Sequence, residues 1–145
     1  MTEQGKRRPV IVVGVDGSKQ STEAVQWASS YAEMVGGDLR AVIAWQQDVG
    51  FGYYPEGPRG LDHEATRTLD HVLVAALGDE KARSVERVIR RGNATSTLVE
   101  ESANAALLVV GDRGYGGFAG LLLGSVGENC VRHGRCSVVV VRHEH

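Results

Sequence analysis

Two stretches of this chain carry residue types at spacings suited to chemistry on a phosphorylated ligand. The longer runs Gly111-Asp112-Arg113-Gly114-Tyr115-Gly116-Gly117-Phe118 and on to Gly124-Ser125-Val126, a G-x2-G-x9-G-S pattern. Glycines lack a Cβ and let main-chain N–H groups approach phosphate oxygens, and a helix beginning at Ser125 adds the positive end of its dipole. A triphosphate could be held by such backbone alone. The shorter stretch, Val15-Asp16-Gly17-Ser18, ends an apolar run in a carboxylate and a turn. The same glycines also suit a tight, closely packed loop, and that purely structural role stands beside the phosphate reading.

Other chemistries find less support. Gly114-x-Gly116-x-x-Ala119 imitates a dinucleotide fingerprint, but it follows a late strand instead of opening the first β-α unit. No G-x4-G-K-[ST] occurs, so the lysine that braces a transferring phosphate is missing. His63 and His71, eight apart on one expected helix, suit a solvated face, and His143-Glu144-His145 reads as a frayed tail. No Ser-His-Asp or Cys-His set can be placed. Cys130 falls on an apolar helical face and Cys136 at a strand entrance. Phe51, Tyr53 and Tyr54 lie in a long loop, 46–60, of the kind that is usually functional or mobile.

The elements that must position the two stretches follow from periodicity. Val10-Ile11-Val12-Val13-Gly14-Val15 is a continuous β-branched run, the pattern of a strand buried on both faces. Ala24, Ala28, Tyr31, Ala32 and Val35 then recur at helical spacing and stop at Gly36-Gly37. A second strand is expected over 39–45 and a helix over 61–77. A charged strand over 84–90 suits an edge position. Asn93 caps a helix with Leu98, Val99 and Ser102; a fully apolar strand follows over 106–110. The last helix spans 125–133 and the last strand 137–142. Five strands alternating with four helices imply an open, doubly wound α/β parallel sheet with helices on both faces. Ligands of such sheets sit beyond the carboxyl ends of the strands, where strand order reverses.

Composition bounds the rest. At 145 residues, 42% hydrophobic and 23% charged, the chain suits one globular domain. We expect a basic lead at 1–8, the domain at 9–142 and a tail at 143–145. A net charge of −2 gives no long-range attraction to nucleic acid or anionic lipid. The apolar runs are far shorter than the roughly 20 residues needed to cross a bilayer. Lys6-Arg7-Arg8 and the apolar run after it imitate a signal peptide, yet Asp16 breaks the run and no small-residue cleavage site follows. Two cysteines are too few for a disulfide framework, so a reducing cytoplasm is expected.

With these features in view, the chain resembles the universal stress protein family, in its ATP-binding subgroup. The resemblance is carried by Ile11-Val12-Val13-Gly14-Val15-Asp16-Gly17-Ser18, by the G-x2-G-x9-G-S motif with its spacing intact, and by Cys136-Ser137-Val138-Val139-Val140-Val141. It implies a sheet of order 3-2-1-4-5 with both motifs at the switch point. It further implies that Gly14, Val15 and Asp16 line the nucleotide, with Asp16 near the ribose and a phosphate-bound Mg²⁺. Gly111 and Gly114 would lie along the ribose and first phosphates, and Tyr115 and Gly116 would belong to the same nucleotide site; Arg113 is suited either to neutralising phosphate charge or to a solvated loop position. Gly124, Ser125 and Val126 would hold the outer phosphates, and the backbone of Ala44 and Trp45 would read adenine. Asp16 is equally suited to capping the helix after it.

Two positions depart from the family pattern. Asp112 stands where a small hydroxyl residue or His is common, and its carboxylate would oppose a phosphate unless Mg²⁺ intervened. Ser137 stands where Pro is common, leaving one more main-chain donor. The family's last strand commonly pairs with its copy in a second subunit, so a homodimer is expected. The expectation is therefore a stress-response regulator that binds ATP with Mg²⁺, with at most slow hydrolysis. The alternatives are a binder of another adenine nucleotide such as cAMP, and a dimeric interaction protein of the same fold with an empty pocket.

Overall fold

The computed structural model describes residues 7–46, 59–113 and 123–142. Its elements are β1 (Val10–Val15), α1 (Lys19–Val35), β2 (Asp38–Trp45), α2 (Arg59–Leu77), α3 (Asp79–Arg83), β3 (Glu86–Arg91), α4 (Ala94–Ser102), β4 (Leu107–Gly111), α5 (Ser125–His133) and β5 (Ser137–Val141). The strands form one sheet of order β3-β2-β1-β4-β5, every neighbouring pair parallel. This is the expected α/β architecture. The short α3 is an addition: one turn of Asp79–Arg83, with only Ala82 buried, has no apolar periodicity to announce it.

The β1 run is apolar throughout because both its faces are covered. Ile11, Val13 and Val15 pack with Ala24, Val25, Ala28 and Ala32 of α1 and Leu69, Val72 and Leu73 of α2. Val12 packs on the opposite face with Leu98 of α4, Leu108 and Val110 of β4, and Cys130 of α5. Each such Val, Leu or Ile contributes about 1.5–3 kcal/mol on full burial, so β1 and β4 hold the two layers together. The charged strand β3 is indeed an edge: Arg40 pairs with Glu86 across β2 and β3, and Arg87 with Asp70 at 2.6 Å.

This layering creates the switch point. After β1 the chain enters α1 on one face and continues to β2; after β4 it reaches α5 on the other face and continues to β5. The carboxyl ends of β1 and β4 are neighbours from which the chain departs in opposite directions, which opens a crevice between them. Among the described residues, no helix is long and apolar enough to cross a membrane.

Candidate functional site at the tips of β1 and β4

In the parallel register of β1 and β4, Val13 stands opposite Val109, and two residues further the strands end at Val15 and Gly111. Asp16 follows at the exposed tip, where its Oδ1 accepts the main-chain N–H of Ser18 at 2.8 Å. Gly17 takes φ 87°, a left-handed conformation that costs glycine little. The cap of α1 is Ser18, whose Oγ accepts the Ser21 N–H at 3.2 Å. Asp16 thus shapes the turn and leaves helix capping to its neighbour.

At β4 the chain is pinned by its own backbone. The Asp112 N–H donates to the Val141 carbonyl at 3.0 Å, and the Asp112 carbonyl accepts the Gly124 N–H at 2.6 Å. The Asp112 side chain is buried, 6% exposed, and Arg113 after it is partly buried. Gly124 has φ −72° and ψ 164° and opens α5 without any side-chain cap. The first hydrogen bond of α5 runs from the Glu128 N–H to the Gly124 carbonyl at 2.9 Å. Among the described residues, no acceptor meets the N–H groups of Ser125, Val126 and Gly127. Three orphan donors at the positive end of a helix dipole form an anion-binding surface.

This redistributes the roles expected along the motif. The Ser125 and Val126 amides meet no acceptor among the described residues, while the Gly124 amide is engaged by the Asp112 carbonyl and brings α5 to the end of β4. Gly127 was not singled out from the sequence, although a helix starting at Ser125 necessarily leaves its N–H without an intrahelical partner. Gly14 and Gly111 have packing reasons of their own. A Cβ at Gly14 would stand 2.8 Å from Leu98 Cδ1, and one at Gly111 would stand 3.0 Å from both the Cβ and the carbonyl oxygen of Gln20. Gly114, Tyr115 and Gly116 lie outside the described residues, as do Phe51, Tyr53, Tyr54 and residues 143–145.

Further along the rim, Ala44 and Trp45 end β2 opposite Arg90 and Arg91 of β3. The Trp45 carbonyl accepts the Gly92 N–H at 2.7 Å, which fixes the end of β2. Adjacent strands lie about 4.8 Å apart, so the tip of β2 is about 10 Å from that of β4, with β1 between them.

The donor set suits an anionic group. Among the described residues, no three His, Cys, Asp or Glu side chains gather to hold a metal ion. Asp16 therefore fits Mg²⁺ only where nucleotide phosphates supply further oxygens, the usual way Mg²⁺ is held. His63 and His71 are exposed on α2. Burial pushes the Cys130 thiol up to about 11. Burial also raises Cys136, partly offset by a main-chain hydrogen bond from Leu108.

Residues 8–142 match the model of the Universal stress protein family. The universal stress protein Rv2623 of Mycobacterium tuberculosis is 39% identical over 137 residues, covering 91% of this chain and 44% of the relative. A universal stress protein of Mycolicibacterium smegmatis is 37% identical over 140 residues, covering 94% of this chain and 46% of the relative. The chain thus spans under half the length of these curated relatives. Among solved structures, a universal stress protein in complex with cAMP is 28% identical with a TM-score of 0.66, covering 92% of this chain and 96% of that one. The universal stress protein UspA of Lactobacillus plantarum shares the fold, with a TM-score of 0.73 at 21% identity over 94% of this chain and 99% of that one.

Proposed function

Since this chain belongs to the universal stress protein family, we propose that it binds an adenine nucleotide across the tips of β2, β1 and β4 and acts as a nucleotide-dependent stress-response regulator in the cytoplasm. The observation that carries this reading is the uncapped start of α5, where the Ser125, Val126 and Gly127 amides meet no acceptor among the described residues. An anionic ligand there would satisfy three donors at once and gain from the helix dipole. The phosphates lie at α5, Asp16 faces the ribose and a phosphate-bound Mg²⁺, and the base reaches the main chain of Ala44 and Trp45. The motif glycines Gly111, Gly114 and Gly116, with Tyr115 and Arg113, complete the phosphate side. ATP with Mg²⁺ is the ligand on this reading, because a nucleoside triphosphate reaches from a base at β2 to outer phosphates at α5. Bound Mg²⁺ would shield the phosphates from Asp112.

A second ligand reading is favoured by the relative solved with cAMP: the same donors would take one cyclic phosphate. No general base is named among the described residues of the site and the sequence has no P-loop lysine motif, so on this reading any hydrolysis is slow. β5 is the open edge of the sheet, with Val138, Val139, Val140 and Val141 half-buried, and a homodimer formed through it would remove that edge. Sedimentation of the full chain is expected to give a dimer; a monomer at all concentrations would overturn this part.

The test of the site is titration of nucleotide-free protein with ATP and with cAMP, each with and without Mg²⁺, after analysis of small molecules released on denaturation. Micromolar ATP binding strengthened by Mg²⁺ is expected. Tighter cAMP binding would transfer the assignment to the cyclic nucleotide, and absence of binding by either would leave the interaction-protein reading.

A further inference from the structure

At the far end of the rim, the Arg91 guanidinium lies over the Trp45 ring, 5.7 Å from its centroid. The arrangement follows from the register: Trp45 and Arg91 are partners in the parallel β2–β3 pairing, so both side chains leave the same face of the sheet. Trp45 is anchored from within, its ring packed against the α1/α2 core and its carbonyl held by Gly92 at 2.7 Å. The other arginines of β3 are committed to carboxylates: Arg87 to Asp70 at 2.6 Å, and Arg90 to Glu100 and, at 3.6 Å, Glu101. Arg91 is exposed, and among the described residues no carboxylate pairs with it. It lies instead over the indole ring.

A guanidinium held over an indole by cation–π attraction still has planar surface to offer a ligand. Nucleic-acid bases are commonly received on such arginine planes as well as on aromatic rings, and cation–π attraction adds to the stacking. Arg91 also lies at the carboxyl end of its strand, on the rim that binds ligands in this type of sheet. We infer that Arg91 is a base-stacking residue of the nucleotide site, building a Trp45–Arg91–base stack at the end opposite the α5 phosphate donors. The inference rests on the nucleotide reading above and adds to it a side chain that contacts the base, where the β2 main chain supplies only hydrogen bonds. Because every base has a π-face, Arg91 strengthens binding without choosing among purines.

The test uses the full chain with Trp27→Phe, which leaves Trp45 as the sole tryptophan of the original two. ATP is titrated into this protein and into its Arg91→Ala, Arg91→Gln and Arg91→Lys derivatives, following both Kd and Trp45 fluorescence. Thermal melting confirms that each variant is folded, as expected for an exposed side chain. The inference predicts saturable quenching of Trp45 and a Kd raised about tenfold in all three variants, Lys included, because an ammonium keeps the charge and loses the plane. Full rescue by Lys would mean that Arg91 acts as a charge on the phosphates, and the stacking inference would be overturned. Unchanged affinity in Arg91→Ala would overturn it while leaving the nucleotide reading intact. Failure of the unmutated chain to bind ATP or cAMP would overturn that reading and this inference with it.

Discussion

The Gly124 main-chain N–H donates to the Asp112 carbonyl across 2.6 Å, joining the end of β4 to the start of α5. This bond engages the Gly124 amide within the protein. On the proposed reading, phosphate binding then falls to the amides of Ser125, Val126 and Gly127, and variants at the first helical position are the means of testing it.

Proline is tolerated at the first position of a helix, where its missing N–H breaks no intrahelical bond. Gly124, at φ −72° and ψ 164°, already has the extended conformation that a following proline requires. Ser125→Pro should therefore keep the fold, including the carbonyl that accepts from Asn129 Nδ2 at 2.8 Å, while deleting one amide and one hydroxyl from the site. A hydrogen bond to a charged group contributes about 1.5–3 kcal/mol, so ATP affinity measured by calorimetry should fall about 10- to 100-fold. Ser125→Ala, which keeps the amide, should lose less. Equal affinities for the three proteins would contradict the assignment.

Gly111→Ala should destabilise the protein more than Gly14→Ala. The new Cβ at Gly111 meets the Gln20 main-chain carbonyl oxygen and carbon at 3.0 and 3.1 Å, atoms that move only with α1. At Gly14 the obstacle is Leu98 Cδ1, the end of a side chain that can turn aside. Overpacking of this kind costs about 1–3 kcal/mol, with Gly111→Ala toward the upper end and Gly14→Ala toward the lower. Urea unfolding of the two variants gives the order; the reverse order would contradict the packing described.

Stability should fall above pH 9 through Cys130. Its folded value of about 11 exceeds the unfolded value of 9.0. Between these values the unfolded chain has lost the thiol proton that the folded chain retains, so the native state binds more protons and stability declines as pH rises. Below pH 9 the contribution is flat. At pH 10 the loss is on the order of 1 kcal/mol, corresponding to about one pKa unit. Cys130→Ala loses packing at every pH and should show a shallower slope, with only the Cys136 contribution remaining. Urea unfolding at pH 8, 9 and 10 compares the two proteins, and identical slopes would contradict the burial argument.

The sequence made some of this legible and withheld the rest for physical reasons. The unbroken apolar runs of β1 and β4 announced strands covered on both faces, and the charges of β3 announced an edge. The order of the strands came from the family resemblance, since periodicity says nothing about which strands are neighbours. α3 escaped because a single turn has no period. Glycine was the harder case. Gly14 and Gly111 can serve close approach by a ligand or by another part of the chain, and only coordinates reveal Leu98 and Gln20 beside them. The pairing of Gly124 with Asp112 and the placement of Arg91 over the Trp45 ring join residues whose proximity depends on loop path and strand register. The second became readable once β2 and β3 were known to pair in parallel.

Backbone amide NMR during a nucleotide titration tests the central claim most directly. On addition of ATP and Mg²⁺, the account predicts saturable shifts at the Ser125, Val126 and Gly127 amides, with a smaller response at Gly124, whose N–H is already engaged by Asp112. Nucleotide binding that leaves the three amides unmoved, or shifts confined to another surface, would contradict it.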